Sequence, residues 1–203
     1  MARKKNDFYP TPQSIVERMT QEFLDVQINA IKMGNIRPPI PVWDPCAGDG
    51  RIGKAIRSHG IEAIETDIST GQDFFEYDTP MSPILMTNPP FSRIREFIDH
   101  AFSIGVFSMA LVCSERLWAC KRGHTQFQRY RPSRFAMMDW REDYLGKGGS
   151  PDRALAVAIW EEPCAHICRY EVWSKKADLY PKFDFSSFER LSSVVSRWAG
   201  SQA

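Results

Sequence analysis

The sequence predicts an α/β fold: a mostly parallel sheet with helices on both faces, built as a single domain. Three observations predict it. Short apolar runs that read as buried strands alternate with longer stretches of helical periodicity. The first clear strand, Val42-Trp43-Asp44, runs into a glycine-bearing turn, Pro45-Cys46-Ala47-Gly48-Asp49-Gly50, and then into a helical stretch. A later one, Ile84-Leu85-Met86, ends at the tetrapeptide Asn88-Pro89-Pro90-Phe91. Both motifs sit where a strand gives way to a loop, which is where open α/β sheets place their ligands.

The elements follow in order. Residues 11–33 read as a leading helix, with Ile15, Met19, Phe23, Val26 and Ala30 at helical spacing and Ser14 as its N-cap. Residues 34–41 form a loop broken by three prolines. A strand over 42–44, a helix over 51–59 and strands over 63–66 and 84–87 come next. A helix over 94–104 precedes a strand over 107–113, and a further helix covers 118–130. Strands over 135–140 and 154–160 flank the loop Gly146-Lys147-Gly148-Gly149-Ser150. Beyond Trp160 the pattern weakens. Residues 170–173 could extend the sheet, and 187–198 carries Phe188, Leu191, Val194, Val195 and Trp198 on one helical side. Residues 1–160 are therefore read as the main domain and 161–203 as a short C-terminal extension.

The tetrapeptide carries the sharpest chemical signal. Two consecutive prolines fix two φ angles and remove two backbone donors, so nearby carbonyls stay free to accept. Asn88 adds a side-chain carbonyl and Phe91 a flat apolar face. Two acceptors and a ring to stack on suit the exocyclic amino group of a nucleobase. A plain Asn-Pro turn is the bland alternative. In the upstream turn, Gly48 and Gly50 allow close approach of a ligand, and Gly53 completes a dinucleotide-type spacing that admits an NAD-dependent oxidoreductase. Asp44 disfavours that option, because an acid at the strand end repels a pyrophosphate and suits a cationic amino acid moiety. Near the end of the second strand lie Glu65 and Asp67, and an acid there can accept hydrogen bonds from ribose hydroxyls.

Composition bounds the rest. The 203 residues are 43% hydrophobic, enough for a core, with a net charge of +1. The absence of a long apolar span and of a signal-like start predicts a soluble, cytoplasmic protein with no membrane partner. Five cysteines, an odd number, do not suggest a disulfide framework. Cys164, His166 and Cys168 are tightly spaced but lack a second Cys/His pair, so no metal is expected. Charge is uneven: residues 1–115 carry 11 Lys/Arg against 15 Asp/Glu, whereas 116–153 carry nine against four. Lys121, Arg122, Arg129, Arg131 and Arg134 fall in a stretch without an acid, interleaved with His124, Phe127 and Tyr130. Such a block is a solvated helix face or, beside a base-handling motif, a nucleic-acid track. Lys147 is the matching candidate in the Gly-rich loop.

Taken together, these motifs resemble the S-adenosylmethionine-dependent DNA amino-methyltransferases, in particular the adenine-N6 group of phages and restriction systems. The resemblance runs from about Asp7 to Trp160. It implies a Rossmann-like class I methyltransferase fold with S-adenosylmethionine as cofactor, in a bacterial or phage-infected cell. Asn88, Pro89, Pro90 and Phe91 match the catalytic motif [DNS]-P-P-[YFW]. Asp44, Pro45, Cys46, Ala47, Gly48, Asp49 and Gly50 resemble the cofactor motif. Tyr9-Pro10-Thr11-Pro12 resembles the motif at the cofactor's methionine end, Asp67 with Ile68 the ribose-binding segment, and Asp73-Phe74 the adenine-contacting pair. The motif order is that of the group in which a target-recognition domain follows the catalytic one, but only about forty residues remain here. Recognition of DNA is then left to the basic block, to a second subunit in a homodimer, or to little sequence reading at all. Cytosine N4, adenine in RNA and a protein glutamine are alternative acceptors. A non-catalytic nucleic-acid-binding module is the alternative of another class.

Overall fold

The computed structural model describes residues 10–25, 27–28, 39–141 and 154–175. Tyr9, Val26, Ala30, Lys147 and the 187–198 stretch lie outside the described residues. Seven strands form one sheet: β1 (Val42–Asp44), β2 (Ala63–Glu65), β3 (Ile84–Thr87), β4 (Ser108–Ser114), β5 (Arg134–Met138), β6 (Leu155–Trp160) and β7 (Arg169–Trp173). Among the described residues, helices α1 (Gln13–Phe23), α2 (Arg51–Ser58), α3 (Ile94–Ser103) and α4 (Lys121–Arg129) accompany them. The strand order is β2-β1-β3-β4-β6-β5-β7. The pairings β2-β1-β3-β4 are parallel, β6 is antiparallel to both β4 and β5, and β7 is parallel to β5. Part of the C-terminal extension thus belongs to the sheet.

Strand alternation builds two cores, one on each face of the sheet. Val42, Met86, Val112, Val157 and Ile159 face a cluster that holds Ile15, Val16 and Met19 of α1 and Ile52 and Ile56 of α2. Their neighbours Trp43, Leu85, Leu111 and Ala158 face the other, which holds Phe97, Ile98 and Ala101 of α3. Every residue of β6 is buried, as a central strand covered on both sides requires. Each fully buried large apolar side chain contributes about 1.5–3 kcal/mol.

Two helices depart from their predicted limits. α1 ends at Phe23 with a bend at Leu24, and Asp25, Gln27 and Ile28 beyond it are helical again; the rest of the expected helix, to residue 33, lies outside the described residues. Thr20 turns its hydroxyl back onto the Val16 carbonyl at 2.7 Å, a bond that favours bending. Pro12, not Ser14, occupies the N-cap position, and the Ser14 hydroxyl instead accepts from Trp140 Nε1 at 3.1 Å. α4 starts at Lys121 and not at 118, because the Cys120 Sγ accepts from the Gly123 N–H at 3.3 Å and caps the helix there. Trp118 is left in an aromatic cluster with Phe127 and Trp160. Among the described residues no helix is long and apolar enough to cross a membrane.

Candidate functional site

The parallel register sets Asp44 at the carboxyl end of β1, between Glu65 on β2 and the end of β3. Asp44 is fully buried. Its Oδ1 accepts from the Thr87 hydroxyl at 2.6 Å and from the Cys46 N–H at 3.2 Å. Its Oδ2 has no hydrogen-bond partner among the described residues. Burial pushes the Asp44 carboxyl up to about 7, reinforced by Glu65 and Asp67 nearby, with the Thr87 and Cys46 bonds opposing. Thr87 directly precedes Asn88, so this hydrogen bond joins the glycine turn to the tetrapeptide. The sequence carries no sign of that role for Thr87, which depends on register alone. Burial and the neighbouring Asp44 also push the Cys46 thiol up, so it stays protonated at neutral pH.

The turn is pinned from β2. The Ala47 N–H donates to the Thr66 carbonyl at 3.1 Å, and the Gly48 N–H donates to Asp67 Oδ2 at 2.9 Å. Asp67 Oδ1 also accepts from the Ser69 N–H and hydroxyl, at 2.8 and 2.5 Å. Burial raises the Asp67 carboxyl, but these donors more than offset it and hold it below the usual range. Gly48 and Gly50 have φ of 54° and 75°, a left-handed conformation open to glycine at little cost. A Cβ at Gly53 would run into the Glu65 carboxylate, which assigns Gly53 to close packing of α2 on β2. Arg51 of α2 grips Asp49 with two nitrogens and donates to the Thr11 carbonyl at 2.8 Å. That bond brings buried Thr11 and half-buried Pro12 to the glycine turn.

Asn88 is half-buried, Pro89 buried and Phe91 half-buried. The Pro90 carbonyl accepts from the Arg93 N–H at 3.0 Å, closing the turn, while the Pro89 carbonyl takes no backbone bond among the described residues. Ile68, beside Asp67, is 51% exposed, unusual for a large apolar side chain. Asp73 caps the short turn Phe74–Glu76 by accepting from the Phe75 N–H. The Phe74 ring is buried and stacks on Phe97 with centroids 4.0 Å apart. The Phe74 carbonyl is engaged by His100 Nε2 at 3.1 Å.

The basic block does not act as one surface. Lys121 and Arg122 open α4 on the carboxyl side of the sheet, and the helix then runs back towards the amino side. Arg134 is opposite Ile159, which pairs with Ala110 near the start of β4. Arg134 is therefore at the amino edge, away from Asn88. It is buried, with ion pairs to Glu22 at 2.6 Å and Glu171 at 2.8 Å, and it joins α1 to β7. Arg131 donates to the His166 carbonyl at 2.7 Å and to Gln128 at 3.3 Å. Arg129 lies over the Tyr130 ring at 4.9 Å. Among the described residues no group of three or more His, Cys, Asp or Glu is placed to hold a metal ion.

No family model matches the sequence, and no curated protein matches it. Solved structures do resemble it. A candidate RNA methyltransferase of Pyrococcus horikoshii aligns with a TM-score of 0.54 at 15% identity, over 80% of this chain and 93% of the other. A candidate class I S-adenosylmethionine-dependent methyltransferase of Listeria monocytogenes gives 0.51 at 9%, over 93% and 71%. A modification subunit of a candidate type I restriction enzyme of Vibrio vulnificus gives 0.53 at 10%, over 92% of this chain but 53% of that one. The chain thus spans about half the length of the restriction-enzyme subunit. These likenesses establish the fold: a Rossmann-like, class I methyltransferase sheet in a single domain.

Proposed function

We propose that the protein transfers a methyl group from S-adenosylmethionine to the N6 amino group of adenine in DNA. The observation that carries this reading is the Thr87–Asp44 hydrogen bond. It sets an acceptor-rich Asn-Pro-Pro-Phe turn directly beside a buried carboxylate that lacks a partner for Oδ2. An unpaired buried carboxylate is unfavourable, and an amino acid ammonium would supply its missing counter-charge. The other residues fit the same cofactor. Thr11 and the Gly48–Gly50 turn would hold its methionine end. Asp67 already accepts three donors, and a carboxylate offers about four lone-pair sites, so one remains for a ribose hydroxyl. Ile68 and Asp73 would take the adenine, by apolar contact and by accepting from its amino group.

S-adenosylmethionine supplies an electrophilic methyl group at its sulfonium. Adenine N6 is a poor nucleophile because its lone pair is delocalised into the ring. The Asn88 side-chain carbonyl and the Pro89 carbonyl accept its amino hydrogens and localise that lone pair. They are fixed before reaction, one by a strand end and the other by a proline pair, which is preorganised electrostatic stabilisation. Phe91 stacks on the base, which must be flipped out of a duplex or already single-stranded. Calorimetric titration tests the cofactor assignment. Binding of S-adenosylhomocysteine without binding of NADH is expected, and the reverse pattern would overturn the reading.

A further inference from the structure

We propose that a cleft between the start of α3 and the β4–α4 loop docks a phosphodiester of the nucleic-acid strand, next to the target base. This rests on the nucleic-acid reading above and deepens it. The cleft has a volume of about 310 Å³, and Phe91, the last residue of the tetrapeptide, lines it. Four arginines line it too, Arg93, Arg95, Arg116 and Arg122, against a single acid, Glu96.

The arginines divide into two kinds. Arg93 is engaged: it donates to Glu96 at 2.9 Å and lies over the Phe75 ring at 3.8 Å. Arg95 is engaged as well, donating to the Leu117 carbonyl and to Cys120 Sγ, so it fixes the loop that leads into α4. Arg116 is different. Its side chain is 83% exposed and its ion pair is a loose 3.6 Å contact with its sequence neighbour Glu115. Arg122 is exposed and makes no ion pair or hydrogen bond within the described residues. Two guanidinium groups, one only loosely paired, therefore line one cleft.

Guanidinium forks match the planar pairs of oxygens on a phosphate. The first turn of α3 adds to this, since no side chain caps it and helix N-termini attract anions. An apolar or cationic ligand would meet the wrong charge. Location identifies the phosphate. Ser114 ends β4 on the same carboxyl edge as Thr87 and Asn88, so a strand held here is bound within reach of the tetrapeptide. The phosphate track thus runs through Arg116 and Arg122, and not along α4 to Arg134.

Fluorescence anisotropy with the full-length protein tests this. A labelled adenine-containing single-stranded oligonucleotide is titrated at several salt concentrations against the parent and an Arg116→Ala/Arg122→Ala variant. The variant is expected to bind about tenfold more weakly at low salt, and its salt slope should fall by about 0.7 per lost contact. An Arg116→Lys/Arg122→Lys variant should keep the slope, and S-adenosylhomocysteine should raise the melting temperature of all three equally. Unchanged affinity and slope in the alanine variant, with the parent binding normally, would overturn the docking site alone. A parent that binds neither DNA nor RNA at low salt would overturn the nucleic-acid reading and this site with it.

Discussion

At the residue scale, the proposed chemistry turns first on Asp44. It ionises near 3.8 in the unfolded chain and near 7 in the fold, so the folded state holds its proton more tightly. Its contribution to stability is full below about pH 3.8 and is lost as pH rises through about 7. An amino acid ammonium bound against Asp44, as proposed for the cofactor, would select the ionised form. Affinity for S-adenosylhomocysteine should therefore rise by roughly tenfold in all as pH passes up through about 7, and level off above. Asp44→Asn keeps an acceptor for Thr87 but removes the charge. It should flatten that profile and weaken binding at pH 8 by roughly tenfold. Calorimetry across pH checks both, and a mutant with the parent's profile would detach Asp44 from the cofactor. Asn88→Ala should lower the methyl-transfer rate by about a hundred- to a thousandfold with little change in cofactor affinity, as steady-state kinetics and calorimetry together would register. Asp44, Asn88 and the glycines were legible in the sequence because each is an unusual residue at a strand end. Thr87 was not, since its bond to Asp44 crosses 43 residues and exists only once β3 lies beside β1.

At the scale of elements, Arg134 sets the position of β7. Its guanidinium is 9% exposed and pairs with Glu22 and Glu171, each about a quarter exposed. Burial alone would raise Glu171, but the bonds from Arg134 and Trp173 hold it below the usual range. The pair's stabilisation is therefore present above the ordinary glutamate range and lost on acidification through the lowered value. Arg134→Ala takes the guanidinium partner from Glu171 and leaves Glu22 paired with Arg18 alone, at 2.7 Å, and should destabilise the fold by about 2–4 kcal/mol, measured by urea unfolding at pH 7. Nucleic-acid affinity should stay unchanged, in contrast to Arg116 and Arg122. At the start of α4, Gly123 has its missing Cβ position 2.8 Å from the Leu117 carbonyl, which is backbone and cannot yield. Gly123→Ala should cost about 1–3 kcal/mol in the same experiment and disturb the Arg95 anchor. Strands β3 and β6 were legible because buried strands read as apolar runs. The ends of α1 and α4 were not, because the Thr20 back-bond and the Cys120 cap are local competitions that periodicity does not record.

Across the whole molecule, a parallel sheet gathers residues from β1, β2 and β3 along one edge, and this edge carries the candidate chemistry. The alternation of strands and helices made that architecture legible in the sequence. The distribution of the basic block was not, because a run of arginines has no direction until α4 is seen to carry it from one edge of the sheet to the other. The central claim is methyl transfer to adenine, and one assay addresses it directly. The protein is incubated with methyl-labelled S-adenosylmethionine and, in parallel, double-stranded DNA, single-stranded DNA, RNA and protein, and the modified nucleosides are then analysed. The account predicts label in DNA, recovered as N6-methyladenine, and its loss with Asn88→Ala. Label recovered in protein, or no transfer to any acceptor by a protein that binds the cofactor, would contradict it.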